Sequence, residues 1–142
     1  MELKINRIDS YELKSFVKKL LPIDKFIFMK ISDDITSSSV YFPERDAVKH
    51  VNVSSADMFE FKENKNKDIK VSFYNGSKVI DALSHFPGEV TGKIKYFEND
   101  GELMASDFTI EDDNLSIILA CADPSLSFME MTKEETDEKK KK

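Results

Sequence analysis

Apolar and polar residues alternate through Leu3-Lys4-Ile5-Asn6-Arg7-Ile8, the two-residue period of a half-buried strand. The period then lengthens. Asp9, with Glu12 three residues on, forms a capping-box-like start. Leu13, Phe16, Val17, Leu20 and Leu21 follow at spacings of three and four, which predicts an amphipathic helix over 10–21 that stops at Pro22. Strand-like runs return at 25–32, 35–42 and 47–58, parted by Asp33-Asp34 and by Pro43-Glu44-Arg45-Asp46.

From Glu60 to Asp68 there is no apolar period, and the segment reads as a solvated connector. After it the plan starts again. A strand is expected at 68–74, with Asn75-Gly76 as a turn. Ser77 is then the cap of a helix carrying Val79, Ile80, Leu83 and Phe86, closed by Pro87-Gly88. Three more strands are expected at 90–97, 102–110 and 114–122, with an Asp100-Gly101 hairpin between the first two. The halves superimpose at an offset of about 66 residues. Leu3 then falls on Ile69, Ile5 on Val71, Leu13 on Val79 and Val17 on Leu83. The predicted class is α+β, one domain over 1–131. It holds a strand-helix-three-strand repeat at 1–60, another at 68–123, and a connector-like segment at 124–131. The charged run 132–142 has the composition of a disordered tail.

The 142 residues suffice for one core and not for two ordinary domains. No apolar run nears membrane-spanning length and no leader pattern precedes the first strand, so a cytosolic protein with no membrane contact is expected. Cys121, the single cysteine, rules out an internal disulfide and reads as a small buried hydrophobe. A net charge of −6 argues against a chain that coats nucleic acid over its whole surface. Any contact with phosphates has to be local.

No constellation for catalysis, metal or cofactor emerges. His50, His85 and Cys121 are too scattered for a metal site. Thr91-Gly92-Lys93 lacks the upstream Gly, the following Ser or Thr and the helix of a phosphate loop. Glu98, Asp100 and Glu102 alternate as in a calcium loop, but the twelfth position is Thr109 instead of a bidentate Glu. The chain is therefore read as a non-enzyme.

The helices carry the informative charge. Opposite its apolar stripe the first helix holds Lys14, Lys18 and, at the edge, Lys19, with Lys25 just beyond. The second holds Lys78, Ala82 and His85 at the matching positions. Lysines on a wet helix face often serve solubility alone. If both helices share one face of the sheet, they become one positive surface on an acidic protein.

The doubled strand-helix-three-strand plan resembles one domain of the DNA sliding clamps. The run Ile117-Ile118-Leu119-Ala120-Cys121-Ala122-Asp123-Pro124-Ser125 is similar to the last strand of the first domain of T-even phage clamps and its exit into the connector. The resemblance implies a processivity factor of viral replication that forms a ring with helices inside and sheet outside. Duplex DNA would thread it without regard to sequence, near Lys14, Lys18, Lys19, Lys25, Lys78 and His85. It further implies that a DNA polymerase and a clamp loader dock on a groove involving Phe42, Val48, Pro124, Leu126 and Phe128. Clamp chains carry two or three such domains for six per ring, whereas one is present here. Ring closure would then take a homo-oligomer or pairing with another clamp subunit.

Two other readings start from different features. One is a non-ring adaptor that binds a replication or transcription protein through Leu126-Ser127-Phe128-Met129. The other is a single-strand binder stacking bases on Phe26, Phe28, Tyr41, Phe73, Tyr74, Tyr96 and Phe97, residues that at alternate strand positions are more often core.

Overall fold

In the computed structural model, which describes residues 1–42, 47–63 and 68–123, the first alternating run forms β1 (Glu2–Asp9), burying Leu3, Ile5 and Ile8. Helix α1 (Ser10–Leu20) begins where Asp9 Oδ1 accepts the Glu12 N–H at 3.1 Å. That bond satisfies one of the four N–H groups a helix start leaves unpaired. Three strands follow: β2 (Ile27–Ile31), β3 (Ile35–Tyr41) and β4 (Val48–Ser54). The second half contributes β6 (Ile69–Phe73), α3 (Gly76–Leu83), β7 (Glu89–Asn99), β8 (Glu102–Glu111) and β9 (Ser116–Ala120). Between the halves lie a one-turn helix α2 (Ser55–Met58) and β5 (Phe59–Phe61). The domain is thus mixed α+β, with nine strands and three helices among the described residues.

The expected elements are present, with three corrections. The third strand of the first half stops at Ser54 instead of Met58. Ser55 leaves the ladder, its N–H bonding Asp34 O at 2.9 Å and its hydroxyl Ser32 O at 2.6 Å, and the chain turns through α2. The supposed connector begins inside β5, where Phe61 pairs with Ile5 and Phe59 with Ile8. Asn75, not Ser77, caps α3. Asn75 is extended (φ −145°) and its Oδ1 accepts the Ser77 N–H at 3.0 Å, the geometry a cap requires.

The strand order is β4-β3-β2-β6-β8-β7-β1-β5, with β9 also on β8. The pairing is reciprocal. β1 lies antiparallel to β7, with Leu3 opposite Ile94 and Ile5 opposite Gly92. β6 lies antiparallel to β2, with Val71 opposite Met29 and Phe73 opposite Ile27. Each half therefore lends its first strand to the other half, beside the strand that follows that half's helix. A short parallel contact, Ile69 with Leu103 and Lys70 with Met104, joins the two groups. At the β7–β8 turn Asp100 and Gly101 have φ of 53° and 80°, the paired positive values of a two-residue hairpin.

The helices run antiparallel and side by side. Ser10 N and Oγ both donate to Gly88 O, at 3.0 and 2.7 Å, at one end. At the other, a Cβ on Gly76 would lie 3.0 Å from Leu21 Cδ1 and 2.7 Å from Ile27 Cγ1, so only glycine admits this approach. Leu13, Phe16, Val17 and Leu20 of α1 and Val79 and Leu83 of α3 enter one core with Ile5, Ile27, Met29, Val71, Ile94 and Phe108. Each such side chain contributes roughly 1.5–3 kcal/mol on burial.

Candidate nucleic-acid interface and a groove beside Asp123

The face of the helix pair turned away from the core carries most of the cations named from the sequence. Lys18 and Lys19 are exposed in the last turn of α1, where the partial negative charge of the helix end favours them. Lys14 is partly covered. Its Nζ lies 5.7 Å from the centre of the Tyr11 ring and 3.5 Å from Ser84 Oγ, spanning the two helices. Lys25 is exposed in the turn after α1, and its carbonyl accepts the Gly76 N–H at 2.7 Å, which sets it beside the start of α3. Lys78 is exposed in the first turn of α3, a place the helix dipole disfavours for a cation. His85 is exposed just beyond α3.

Two adjustments follow. Ala82 does not belong to the outward set, being 6% exposed. It stands three residues after Val79 and four before Phe86, which the helical period puts on the buried side. The outward side of α3 instead includes the exposed Asp81. Positive charge is thus concentrated on α1 and at the end where the Lys25 backbone bonds the start of α3, which also carries Lys78. Lys49 joins it: this β4 residue donates from Nζ to Lys19 O at 2.8 Å, on the helix side of the sheet. The signal for it was available, because Lys49 alternates in phase with the buried Val51.

The proposed partner groove divides. Phe42 and Val48 are exposed at one end of β3 and β4, and β2 and β6 separate them from β8. Pro124, Leu126 and Phe128 lie outside the described residues. Beside Asp123 is a groove of about 250 Å³ lined by Phe97, Met104, Ala105, Cys121 and Ala122. It is built by two ladder interruptions. A bulge between Lys95 and Tyr96 shifts β7 against β8, and the chain past β9 crosses from β8 to β6, with Cys121 N bonding Ser106 O at 2.9 Å and Ala122 N bonding Ser72 O at 2.7 Å. Burial, and then the Asp107 carboxylate, push the Cys121 thiol up to about 12, so it is protonated at neutral pH. Phe97 and Met104 were findable: the two-residue hairpin at Asp100-Gly101 makes them direct partners.

The structure also sorts the aromatics considered for base stacking. Phe28 and Phe73 are buried, Phe26, Tyr41 and Tyr96 half-buried, and only Tyr74 and Phe97 exposed. Tyr74 meets Phe26 edge-on at 6.3 Å, and Phe97 lines the groove away from the helices. Among the described residues, no three His, Cys, Asp or Glu side chains come together in a metal-binding arrangement, and no helix is long and apolar enough to cross a membrane.

No protein-family model matches this chain, and no curated protein sequence matches it.

Proposed function

We propose that this protein is a non-catalytic, sliding-clamp-type processivity factor that assembles into a ring around duplex DNA and holds replication proteins on it. The observation that carries the reading is the reciprocal architecture: two strand-helix-three-strand halves exchange their first strands and set two antiparallel helices side by side on one face. A face of this kind, with Lys14, Lys18, Lys19, Lys25 and Lys78 along it, contacts phosphates without reading bases, and enclosure makes strong contacts unnecessary.

Two further features favour assembly and docking. β4 and β9 each pair with a single neighbour among the described residues, so both offer a free edge for strand pairing between copies. Joining β4 of one copy to β9 of the next is a heterologous contact, the kind that closes into a ring. The groove at Phe97, Met104 and Cys121 is an apolar recess where a short peptide of a polymerase or loader would dock. Static light scattering over a range of protein concentrations tests the ring. A self-sufficient ring needs six copies, six times 16.3 kDa or about 98 kDa. A monomer at every concentration would refute self-closure and leave two readings, pairing with another clamp subunit or a non-ring adaptor that binds its partner through Leu126-Ser127-Phe128-Met129.

A further inference from the structure

Tyr11 is an exposed aromatic side chain in the first turn of α1. It is 66% exposed, so its ring adds little to the core, although Leu13 two positions on is fully buried. Lys18 stands seven residues later, two turns along the same stripe. Lys14 Nζ lies 5.7 Å from the ring centre and 3.5 Å from Ser84 Oγ, so a cation is already held beside one side of the ring. The capping Asp9 and Glu12, the residue after Tyr11, are the acidic neighbours in the first turn, whereas Lys14 and Lys18 follow three and seven residues after Tyr11 and give the side an anionic backbone would take.

Lysines alone do not distinguish duplex from single strand, because both present phosphates. A solvent-facing ring does. Bases inside a duplex have their faces covered by neighbouring bases, whereas an unpaired base offers a free face for stacking. We propose that Tyr11 is a stacking platform for an unpaired nucleobase, with Lys14 and Lys18 on the flanking phosphates, so that the helical face prefers a duplex bearing a single-stranded overhang to blunt duplex. This rests on the reading of that face as a DNA contact surface and adds to it a preference for structure.

The test compares two fluorescein-labelled probes of equal duplex length, one blunt and one with an oligothymidine overhang, by anisotropy at low salt. The unmodified protein should bind the overhang probe more tightly, and Tyr11→Ala should lower affinity for it by about 5- to 150-fold, removing the preference. Tyr11→Phe, which keeps the aromatic face, should retain it. An overhang affinity of Tyr11→Ala equal to that of the unmodified protein overturns the stacking role, and the blunt-probe affinity then shows separately whether the DNA surface survives. Absence of binding to both probes by the unmodified protein at low salt overturns both the stacking role and direct DNA contact by the helical face, while the ring itself is judged by light scattering.

Discussion

Replacing Lys14, Lys18 and Lys78 together by Gln tests whether the helical face meets phosphates. Gln keeps an extended stem and removes only the charge, taking the net charge from −6 to −9 by three unit steps. Folding should hardly change. Lys18 sits at the negative end of α1, so its loss costs about 0.3–1 kcal/mol, whereas Lys78 sits at the positive end of α3, so its loss returns a similar amount. The long contact of Lys14 with Ser84 adds a few tenths at most. The melting transition should therefore stay within about 1 kcal/mol of the parent. DNA binding should respond much more. Each lysine that neutralises a phosphate contributes about 0.9 to the slope of log affinity against log salt, so three contribute about 2.7. Over a rise from roughly 50 to 200 mM salt the parent should lose about 40-fold more affinity than the variant. The assay is anisotropy of a labelled blunt duplex over a salt series. Equal slopes for the two proteins would refute the idea that these lysines face DNA.

Two further outcomes concern the frame and the groove. Gly92→Ala places a Cβ 2.4 Å from Thr109 O and 2.6 Å from Ile8 Cδ1, and since the first is backbone the strands must part; urea denaturation should show a loss of about 1–3 kcal/mol, and an unchanged midpoint would contradict the packing of β7 between β1 and β8. Cys121 titrates at about 12 in the folded chain and near 9.0 when free, so the folded state holds its proton longer; this term stabilises the fold fully below about pH 9 and is lost as pH rises towards 12. Alkylation by iodoacetamide at mildly alkaline pH should accordingly be much slower in the folded protein than in urea, and equal rates would remove the burial.

Elements with a clear period are legible in the sequence alone. α1 declared itself through Asp9 and the Leu13, Phe16, Leu20 stripe, and the β7–β8 hairpin through Asp100-Gly101, because cap, period and turn chemistry are local. What failed depends on distant neighbours. β5 is only Phe59-Glu60-Phe61, too short for its apolar-polar-apolar alternation to stand out, and it forms because the edge of β1 places Ile8 and Ile5 opposite Phe59 and Phe61. Ser55 is polar and buried, its role fixed by the Asp34 and Ser32 carbonyls across the sheet. Asn75 and Ser77 are both good caps, and the extended backbone at Asn75 decides between them. At the site, individual lysines could be assigned to helix faces, but the bridging of α1 and α3 by Lys14 and the recess beside Asp123 required the packing of the halves.

The exchange of first strands also governs how the chain reaches its shape. β1 has no partner in its own half except the short β5, and its full-length neighbour β7 begins at Glu89. On a ribosome adding about 5–20 residues per second, β1 would wait roughly 4–18 s for β7 to be made. For the first part of that interval, until Ile69–Phe73 is made, β2 likewise lacks β6, so the emerging first half exposes strand edges on both sides. Closing such distant pairs makes the search slow and nearly all-or-none, with neither half able to complete its sheet alone. A cell making this protein must keep those nascent edges from joining other chains until the second half has been synthesised.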